Sequence, residues 1–264
     1  MPKPIIRDMQ PDDEYFVSTC SHVNESEEQD ACGVRRVALF RKLKPHGLRI
    51  KVALLHEEHA GFAYGIPIEH ASWGALGKNL MSVPCLYVLG KATGRGVARR
   101  LLEVIEWDAR AAGLLGLTVT AYRALHGADW FMPAAYFERQ GFEAVDERGS
   151  EILLWKPFTP GAQASRFLQS SYCFVPKAGK VVVDLFWNGL CQTSSIEAER
   201  VREVCGEFGD AVVLNEYCAE DREILRCHQI PRGILVNGVE IGWGYEAPKD
   251  GIRTAIERAM SGST

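Results

Sequence analysis

The sequence contains no long hydrophobic run. No segment of its 264 residues is apolar for long enough to cross a bilayer, and Met1–Phe16 holds no apolar core of signal-peptide length, so we expect a cytoplasmic protein. An excess of positive charge is also missing: the formal net charge is −4 and the isoelectric point is about 6.0, which disfavours a general nucleic-acid binder. The composition, 47% hydrophobic, suffices for one large or two small domains.

None of the eight cysteines is spaced as a Cys-x-x-Cys pair. That absence argues against a structural zinc site, and in the cytoplasm it argues against a disulfide framework. Cys20, His22 and Cys32 come nearest to a metal-ligand set. Buried thiols and a polar loop histidine explain them more simply, so we predict no metal site.

The first part of the chain, from Ile5 to about Phe158, predicts a mixed α/β unit. Two β-rich segments flank a hairpin turn at His56–His59, and a further strand, "VPCLYVL", precedes a helix over Val97–Ala112 with apolar residues at helical spacing. The remaining predicted elements are a strand over Leu115–Tyr122, a helix over Ala134–Gly141 closed by its glycine, and a strand over Glu151–Phe158.

The composition then changes, which predicts a second unit. Residues Thr159–Ser171 are small, polar and interrupted by proline and glycine, as in a linker. The following elements are predicted in the order β-α-β-α-β-β-α. The first of these helices spans Ser195–Phe208 and opens on a capping-box pattern, and Asn237–Gly238 predicts a type I′ hairpin turn.

The stretch "GKATGRGVARR", Gly90–Arg100, is a glycine turn between a strand and a helix, a place that suits an anion. A Walker A loop does not fit, because the glycine spacing is wrong and no Lys-Ser/Thr pair follows. A dinucleotide turn fits poorly, because Arg99 stands where the third glycine is needed for close packing. On its own, the turn is equally compatible with a plain connector.

With its surroundings, the turn resembles that of the GNAT acetyltransferase superfamily, [Q/R]-x-x-G-x-[G/A]. Lys91–Gly96 has this spacing, with lysine where glutamine or arginine is usual, and "AAYFERQGF" (Ala134–Phe142) resembles the later helix of that superfamily. The resemblance covers roughly residues 4–158 and implies an acyl-CoA N-acyltransferase fold, α/β (α+β) in class, in residues 1–158. Residues 159–171 would be the linker.

The resemblance also implies a co-substrate, acetyl-CoA, and where it binds. Its pantetheine arm would pair with the backbone of Leu86 and Val88, where strands "CLYVL" and "LTVTA" separate. Its pyrophosphate would meet the turn and the helix start. The residues predicted to bind it there are Lys91, Ala92, Thr93, Gly94, Arg95, Gly96, Val97 and Ala98.

Many relatives protonate the departing thiolate with a tyrosine four residues before the glycine of this later helix. That position is Phe137 here, which has no proton to give. Tyr136 lies about 100° around the helix and Tyr122 ends the neighbouring strand, and they are the two candidate acids. The acidic run Asn24–Asp30, with Glu25, Glu27 and Glu28, either attracts a cationic acceptor or forms a solvated helix start.

Residues 172–264 resemble a thioredoxin-like domain. "LFWNGLC" places Trp187 four residues before Cys191, and Pro231 falls at the position of that fold's cis-proline. The motif departs at Ser194, since Cys191-Gln192-Thr193-Ser194 lacks the resolving thiol and permits only mixed disulfides or ligand binding. A cysteine just before a helix N-terminus favours the thiolate, so Cys191 is either a nucleophile or an inert packing residue.

The two halves together resemble the bacterial YoaP-like GNAT proteins, which implies an acetyl-CoA-dependent N-acetyltransferase. Its acceptor would be a small-molecule or peptide amine, with a thiol-bearing molecule as one option. A thiol-binding or redox protein using Cys191 and a non-catalytic CoA-sensing module are the alternatives. Neither a nucleic-acid nor a membrane partner is expected, and a homodimer is compatible with this reading.

Overall fold

The chain forms two compact units. A computed structural model describes residues 3–123, 131–242 and 246–262. The first unit comprises Met1–Val23 and Val37–Leu168, and the second comprises Asn24–Arg36 and Gln169–Thr264. None of the helices in these described ranges has the length and apolar character that crossing a membrane requires.

The first unit is a mixed α/β structure, as predicted. Its strands are β1 (Ile5–Asp8), β2 (Arg49–Leu55), β3 (Glu58–Pro67), β4 (Ala75–Leu76), β5 (Met81–Ser82), β6 (Leu86–Val88), β7 (Gly116–Tyr122), β8 (Glu143–Arg148), β9 (Glu151–Pro157) and β10 (Arg166–Phe167). Its helices are α1 (Glu14–Ser18), α3 (Val97–Ala111) and α4 (Ala134–Arg139). Helix α2 (Glu27–Leu43) lies between α1 and α3 in the chain, and its residues up to Arg36 group with the second unit.

The sheet of the first unit has the strand order β1-β2-β3-β5-β7-β9-β8, and β6 pairs with β3 beside β5. The β2–β3 hairpin turns at His56 and Glu57, both with positive φ, as predicted for that segment. Helix α3 buries Val97, Leu101 and Ile105 against the sheet, because its apolar residues recur at helical spacing. Gly141 adopts a left-handed φ of +84° just after α4, which confirms the predicted stop.

The first unit extends into the segment predicted as a linker. Arg166 and Phe167 pair with Leu76 and Ala75 as a two-stranded sheet, and the Phe167 side chain is buried. The Ser165 hydroxyl lies 2.6 Å from that of Thr118 on β7. The segment predicted as a linker therefore contains a short packed strand, because Phe167 belongs to the apolar cluster around Leu153.

Asp13 is a fully buried carboxylate near the start of the first unit. It accepts hydrogen bonds from the Gln10 N–H at 2.8 Å, from His59 Nε2 at 2.8 Å, and from both terminal nitrogens of Arg7. Burial disfavours the charged form, but these donors outweigh it and hold the pKa of Asp13 below its ordinary value of 3.8. The charged carboxylate therefore stabilises the fold.

The stabilisation by Asp13 should disappear in acid. Because the pKa is lower in the folded than in the unfolded state, the contribution is complete above about pH 4 and is lost as the pH falls through the folded value. We expect Asp13→Asn to be less stable than wild type at neutral pH and to lose less stability below about pH 4. Urea midpoints measured against pH test this, with the exposed neighbour variant Asp12→Asn as the control. Parallel wild-type and Asp13→Asn curves would contradict it.

The second unit has the predicted order of elements. Its strands are β11 (Val181–Trp187), β12 (Val212–Cys218), β13 (Gly233–Val236) and β14 (Val239–Glu240), and its helices are α5 (Gln192–Glu207), α6 (Arg222–His228) and α7 (Lys249–Ser261). The strand order is β12-β11-β13-β14, with β11 parallel to β12 and antiparallel to β13. Asn237 and Gly238, with φ of +47° and +80°, form the predicted hairpin turn between β13 and β14.

Candidate functional site

The sheet of the first unit opens between β6 and β7. Ser82 pairs with Thr118, and the Val83 N–H donates to the Thr118 carbonyl at 2.9 Å. Beyond this point β6 is paired with β3, whereas β7 pairs with β9. Within the described residues, the two strands have therefore separated by Leu86, as the predicted ligand position requires.

The backbone of Leu86 and Val88 faces this opening. The Cys85 carbonyl accepts from the Tyr64 N–H, and the Leu89 N–H donates to the Ala60 carbonyl, each at 2.9 Å on the β3 side. Because hydrogen-bonding groups alternate along an antiparallel strand, those of Leu86 and Val88 point away from β3. They form a strand edge on which an extended chain can add.

A methionine side chain contacts that edge. The Leu86 N–H donates to Sδ of Met132 at 3.3 Å, and Met132 is held in place because its carbonyl accepts from the Tyr122 N–H at 3.0 Å. A thioether sulfur is a weak acceptor. A carbonyl oxygen would therefore replace it at Leu86 with a gain in hydrogen-bond strength.

The glycine turn follows β6 directly. The N–H groups of Ala92, Thr93 and Arg95 donate within the turn, to the carbonyls of Leu89, Gly90 and Ala92. Of the eight turn residues predicted to bind the ligand, these three therefore use their amides to shape the turn. The described hydrogen bonds include none from the N–H groups of the other five candidates, Lys91, Gly94, Gly96, Val97 and Ala98.

Gly94 and Gly96 give the turn its open face. Their φ angles are +75° and +74°, and a Cβ on either would meet no atom within 4 Å. Gly96 is the N-cap of α3 and offers no side chain to the first-turn amides, which have no intrahelical acceptor. The helix dipole adds positive potential at the same place. The arrangement is a backbone site for an anion.

Four cationic side chains surround the turn: Lys91, Arg95, Arg99 and Arg100. Lys91 pairs with Glu58 at 2.5 Å, and Glu103 lies 2.8 Å from Arg99 and 3.7 Å from Arg100. Two carboxylates thus face four cations. The local charge favours a polyanionic ligand although the whole chain is acidic.

The candidate acids differ in their surroundings. Phe137 is fully buried against Phe142 and is a core residue. The Tyr136 hydroxyl is buried without a hydrogen-bond partner among the described residues, and burial, with Glu103 adding to it, raises the pKa of Tyr136. Tyr122 ends β7 at the opening, where its N–H binds Met132. Of these three side chains, only the two tyrosines have a hydroxyl proton to donate.

The acidic run Asn24–Asp30 belongs to the second unit. Glu28 forms a two-point pair with Arg200, with N–O distances of 2.8 and 2.6 Å, and Arg200 also lies 3.0 Å from Glu246. A cationic acceptor would therefore have to compete with Arg200 for the Glu28 carboxylate. Glu25 and Glu27 are exposed, as on a solvated helix start.

In the second unit, Cys191 is the N-cap of α5. Its N–H donates to Oδ1 of Asn188 at 3.1 Å, and its Sγ lies 2.9 Å from the Thr193 hydroxyl. The thiol is half-buried. A thiol at the start of a 16-residue helix has the positive end of the helix dipole beside it, as the sequence predicted.

Two predictions around Cys191 are wrong. Helix α5 begins at Gln192 with Cys191 as its N-cap, so Ser194 and Ser195 lie inside the helix and do not cap it. The Ser194 hydroxyl instead accepts a hydrogen bond from the Asn188 N–H in the loop before the helix. The peptide bond before Pro231 is trans, as are all those in the described residues. The Pro231 carbonyl accepts from Nδ2 of Asn188 at 2.9 Å, so this proline still borders the cysteine loop.

Sequence reasoning missed Asn188, Arg36 and Met132. The Asn-Gly pair at 188–189 was a local sign of a tight turn, but nothing near Arg36 or Met132 in the sequence points to their contacts. In the described part of the chain, no group of three His, Cys, Asp or Glu side chains is arranged to hold a metal ion.

Several solved acetyltransferase structures are similar to about 60% of the chain. The PaiA N-acetyltransferase of Thermoplasma acidophilum, solved with coenzyme A, is 15% identical, covers 60% of this chain and all of its own, and has a TM-score of 0.41. A GCN5-related N-acetyltransferase of Rhodopseudomonas palustris is 23% identical over 60% of this chain and 98% of its own, with a TM-score of 0.39.

The ribosomal-protein-alanine N-acetyltransferase of Brucella melitensis is 17% identical over 58% of this chain and 99% of its own, with a TM-score of 0.44. No protein-family model and no curated protein sequence matches the chain. Identities this low and TM-scores below 0.5 do not assign an activity, so the function has to follow from the chain's own residues.

Proposed function

We propose that the first unit is a GNAT-type acyltransferase that takes acetyl-CoA as co-substrate and transfers its acetyl group to an amine. The observation that carries the proposal is the opening between β6 and β7, which leads directly into a glycine turn with unengaged amides. A molecule with an amide-rich arm and a diphosphate matches both features in one ligand. The surrounding cations favour the same ligand.

The chemistry assigns a task to each group. The N–H groups at Gly94, Gly96, Val97 and Ala98 would hold the diphosphate, while the edge at Leu86 and Val88 would pair with the pantetheine amides. The amine attacks the thioester carbonyl, a C–N bond forms, and the C–S bond breaks. The oxyanion formed on the way needs a backbone N–H donor, which the opened strand can supply. The nitrogen releases a proton to solvent, and the departing thiolate takes up a proton.

Tyr122 is the proposed donor of that proton. It lies at the end of β7 beside the opening, whereas the Tyr136 hydroxyl contacts no polar partner in the described structure. We expect Tyr122→Phe to lower kcat about 100-fold, at the lower end of the usual range for general-acid catalysis. Tyr136→Phe should leave kcat unchanged and raise the stability by about 1 kcal/mol, because it removes an unsatisfied buried hydroxyl.

Calorimetric titration of the full chain with acetyl-CoA, followed by thiol release in the presence of a panel of amines, tests the whole proposal. Saturable binding with release that depends on an amine supports the enzyme. Binding without release from any amine would instead support the CoA-sensing alternative. No binding would overturn both. In the two tyrosine variants, a kcat loss confined to Tyr136→Phe would reverse the assignment of the acid.

For the second unit, we propose a thioredoxin-like domain in which Cys191 reacts as a thiol nucleophile. The element order, the strand order 2-1-3-4 and the cysteine at the start of the first helix support this reading. The half-buried Cys191 should then react with a disulfide faster than the exposed Cys227 does, despite its lower exposure. Equal or slower reaction would contradict it.

A further inference from the structure

Three side-chain contacts, all within the second unit, join residues Cys32 and Arg36 of α2 to the backbone on either side of Cys191. Arg36 donates from Nε to the Gly189 carbonyl at 3.3 Å and from Nη2 to the Leu190 carbonyl at 2.8 Å. Cys32, one helical turn earlier on the same face, places its Sγ 3.7 Å from the Gln192 carbonyl. Arg36 thus contacts the two carbonyls before Cys191, and Cys32 contacts the carbonyl after it.

Cys32 therefore lies beside the backbone next to Cys191, since it contacts the carbonyl of the following residue, Gln192. Cys32 is fully buried, and the hydrogen bond from its thiol to the Gln192 carbonyl is a weak one. Cys205, by contrast, is buried in the apolar core of the same unit, where burial raises its pKa to about 11. Of the two buried cysteines of this unit, only Cys32 contacts the residue next to Cys191.

The loop itself has no second thiol to offer. Ser194 stands three residues after Cys191, and its hydroxyl accepts a hydrogen bond from the Asn188 N–H at 3.0 Å. A mixed disulfide on Cys191 thus cannot be resolved within the Cys191–Ser194 motif. The resolving thiol must therefore come from another part of the chain or from a free thiol in solution.

We propose that Cys32 is the resolving thiol of Cys191. This inference rests on the proposed nucleophilic role of Cys191 in the second unit and is independent of acetyl transfer. The Cys191 thiolate attacks a low-molecular-weight disulfide R–S–S–R, forming a mixed disulfide and releasing one R–S⁻. Cys32, after losing its proton to solvent, attacks Sγ of Cys191, forming a Cys32–Cys191 disulfide and releasing the second R–S⁻. The small disulfide is reduced and the protein is oxidised by two electrons.

Arg36 is a positioning residue in this scheme. Its buried guanidinium fixes the two carbonyls that immediately precede Cys191, and it brings a positive charge to the loop. On one face of α2, Arg36 thus holds the loop before Cys191 in place and Cys32 supplies the resolving thiol.

The test uses the full reduced chain, with oxidised glutathione as the disulfide, acid quenching at intervals and mass spectrometry of the peptides. Wild type should pass through a transient glutathione adduct on Cys191 and end as the Cys32–Cys191 disulfide. Cys32→Ser, which keeps a donor for the Gln192 carbonyl, should accumulate roughly 10-fold more adduct, because nothing resolves it. Cys205→Ser, the matched buried control, should behave as wild type.

A rescue separates a lost thiol from a disturbed fold. In Cys32→Ser/Ser194→Cys a thiol returns within the motif, and the adduct should again be transient. Equal adduct levels in wild type and Cys32→Ser would overturn the role of Cys32 while leaving Cys191 a nucleophile. Absence of any adduct on Cys191 in all variants would overturn the nucleophile and, with it, the resolving role.

Discussion

Gly94→Trp should abolish measurable binding of acetyl-CoA. The site offers bare amides to a diphosphate, and an indole on Gly94 would fill the open space from which the phosphates approach. Loss of two hydrogen bonds to a charged group, at about 1.5–3 kcal/mol each, corresponds to roughly 100-fold weaker binding or more. Calorimetric titration of the folded variant measures this directly.

Gly113→Trp is the matched control for this experiment. Gly113 follows the other end of α3, has a φ of +74° against +75° for Gly94, and also has open space around its Cβ position. The backbone strain of the two variants should therefore be the same, about 1–2 kcal/mol. A 15-residue helix separates them by roughly 22 Å, so only Gly94→Trp should lose binding. Equal affinities for the two variants would exclude the turn as the diphosphate site.

Lys51→Met should cost the first unit about 3–5 kcal/mol of stability, the usual effect of breaking a buried ion pair. The Lys51 ammonium is buried and lies 2.7 Å from Asp108 on α3 and 2.6 Å from Asp8. Burial disfavours the ammonium, but the two carboxylates outweigh it and raise the pKa of Lys51. Removing the lysine leaves the Asp108 carboxylate buried beside an apolar side chain.

The double variant Lys51→Met/Asp108→Leu should recover most of that loss, because no uncompensated charge then remains. Hydrogen exchange of the peptides from α3 and β2 reports on this unit separately from the other. Lys91→Met, which removes an ion pair on the exposed surface, should leave the exchange unchanged. If the double variant is as unstable as Lys51→Met, the unpaired Asp108 carboxylate is not the cause of the lost stability.

Local patterns predicted local structure well. The period of the apolar residues identified α3 from its first residue, and the Asn237–Gly238 turn and the stop at Gly141 followed from backbone preferences that belong to those residues alone. The glycine turn was found for the same reason: a strand, two glycines and a helix lie within one short stretch.

Contacts between distant parts of the chain could not be predicted in this way. The sequence does contain the capping-box pattern Ser194–Glu197, but the Ser194 hydroxyl accepts from the Asn188 N–H and the helix begins earlier, at Gln192. Glu28 forms its ion pair with Arg200, which is 172 residues away in the sequence. Which amides in the turn are already engaged likewise depends on the fold of the turn, not on its composition.

The contribution of α2 to the second unit has a consequence for biosynthesis. Arg36 and the carbonyl of Gly189 that it binds are 153 residues apart, and nearly the whole of the first unit lies between them in the chain. A ribosome would release the stretch Asn24–Arg36 long before its packing partners exist. The second unit can therefore be completed only after the residues beyond Gln169 have been synthesised, and a fragment beginning after the linker would lack part of its own interior.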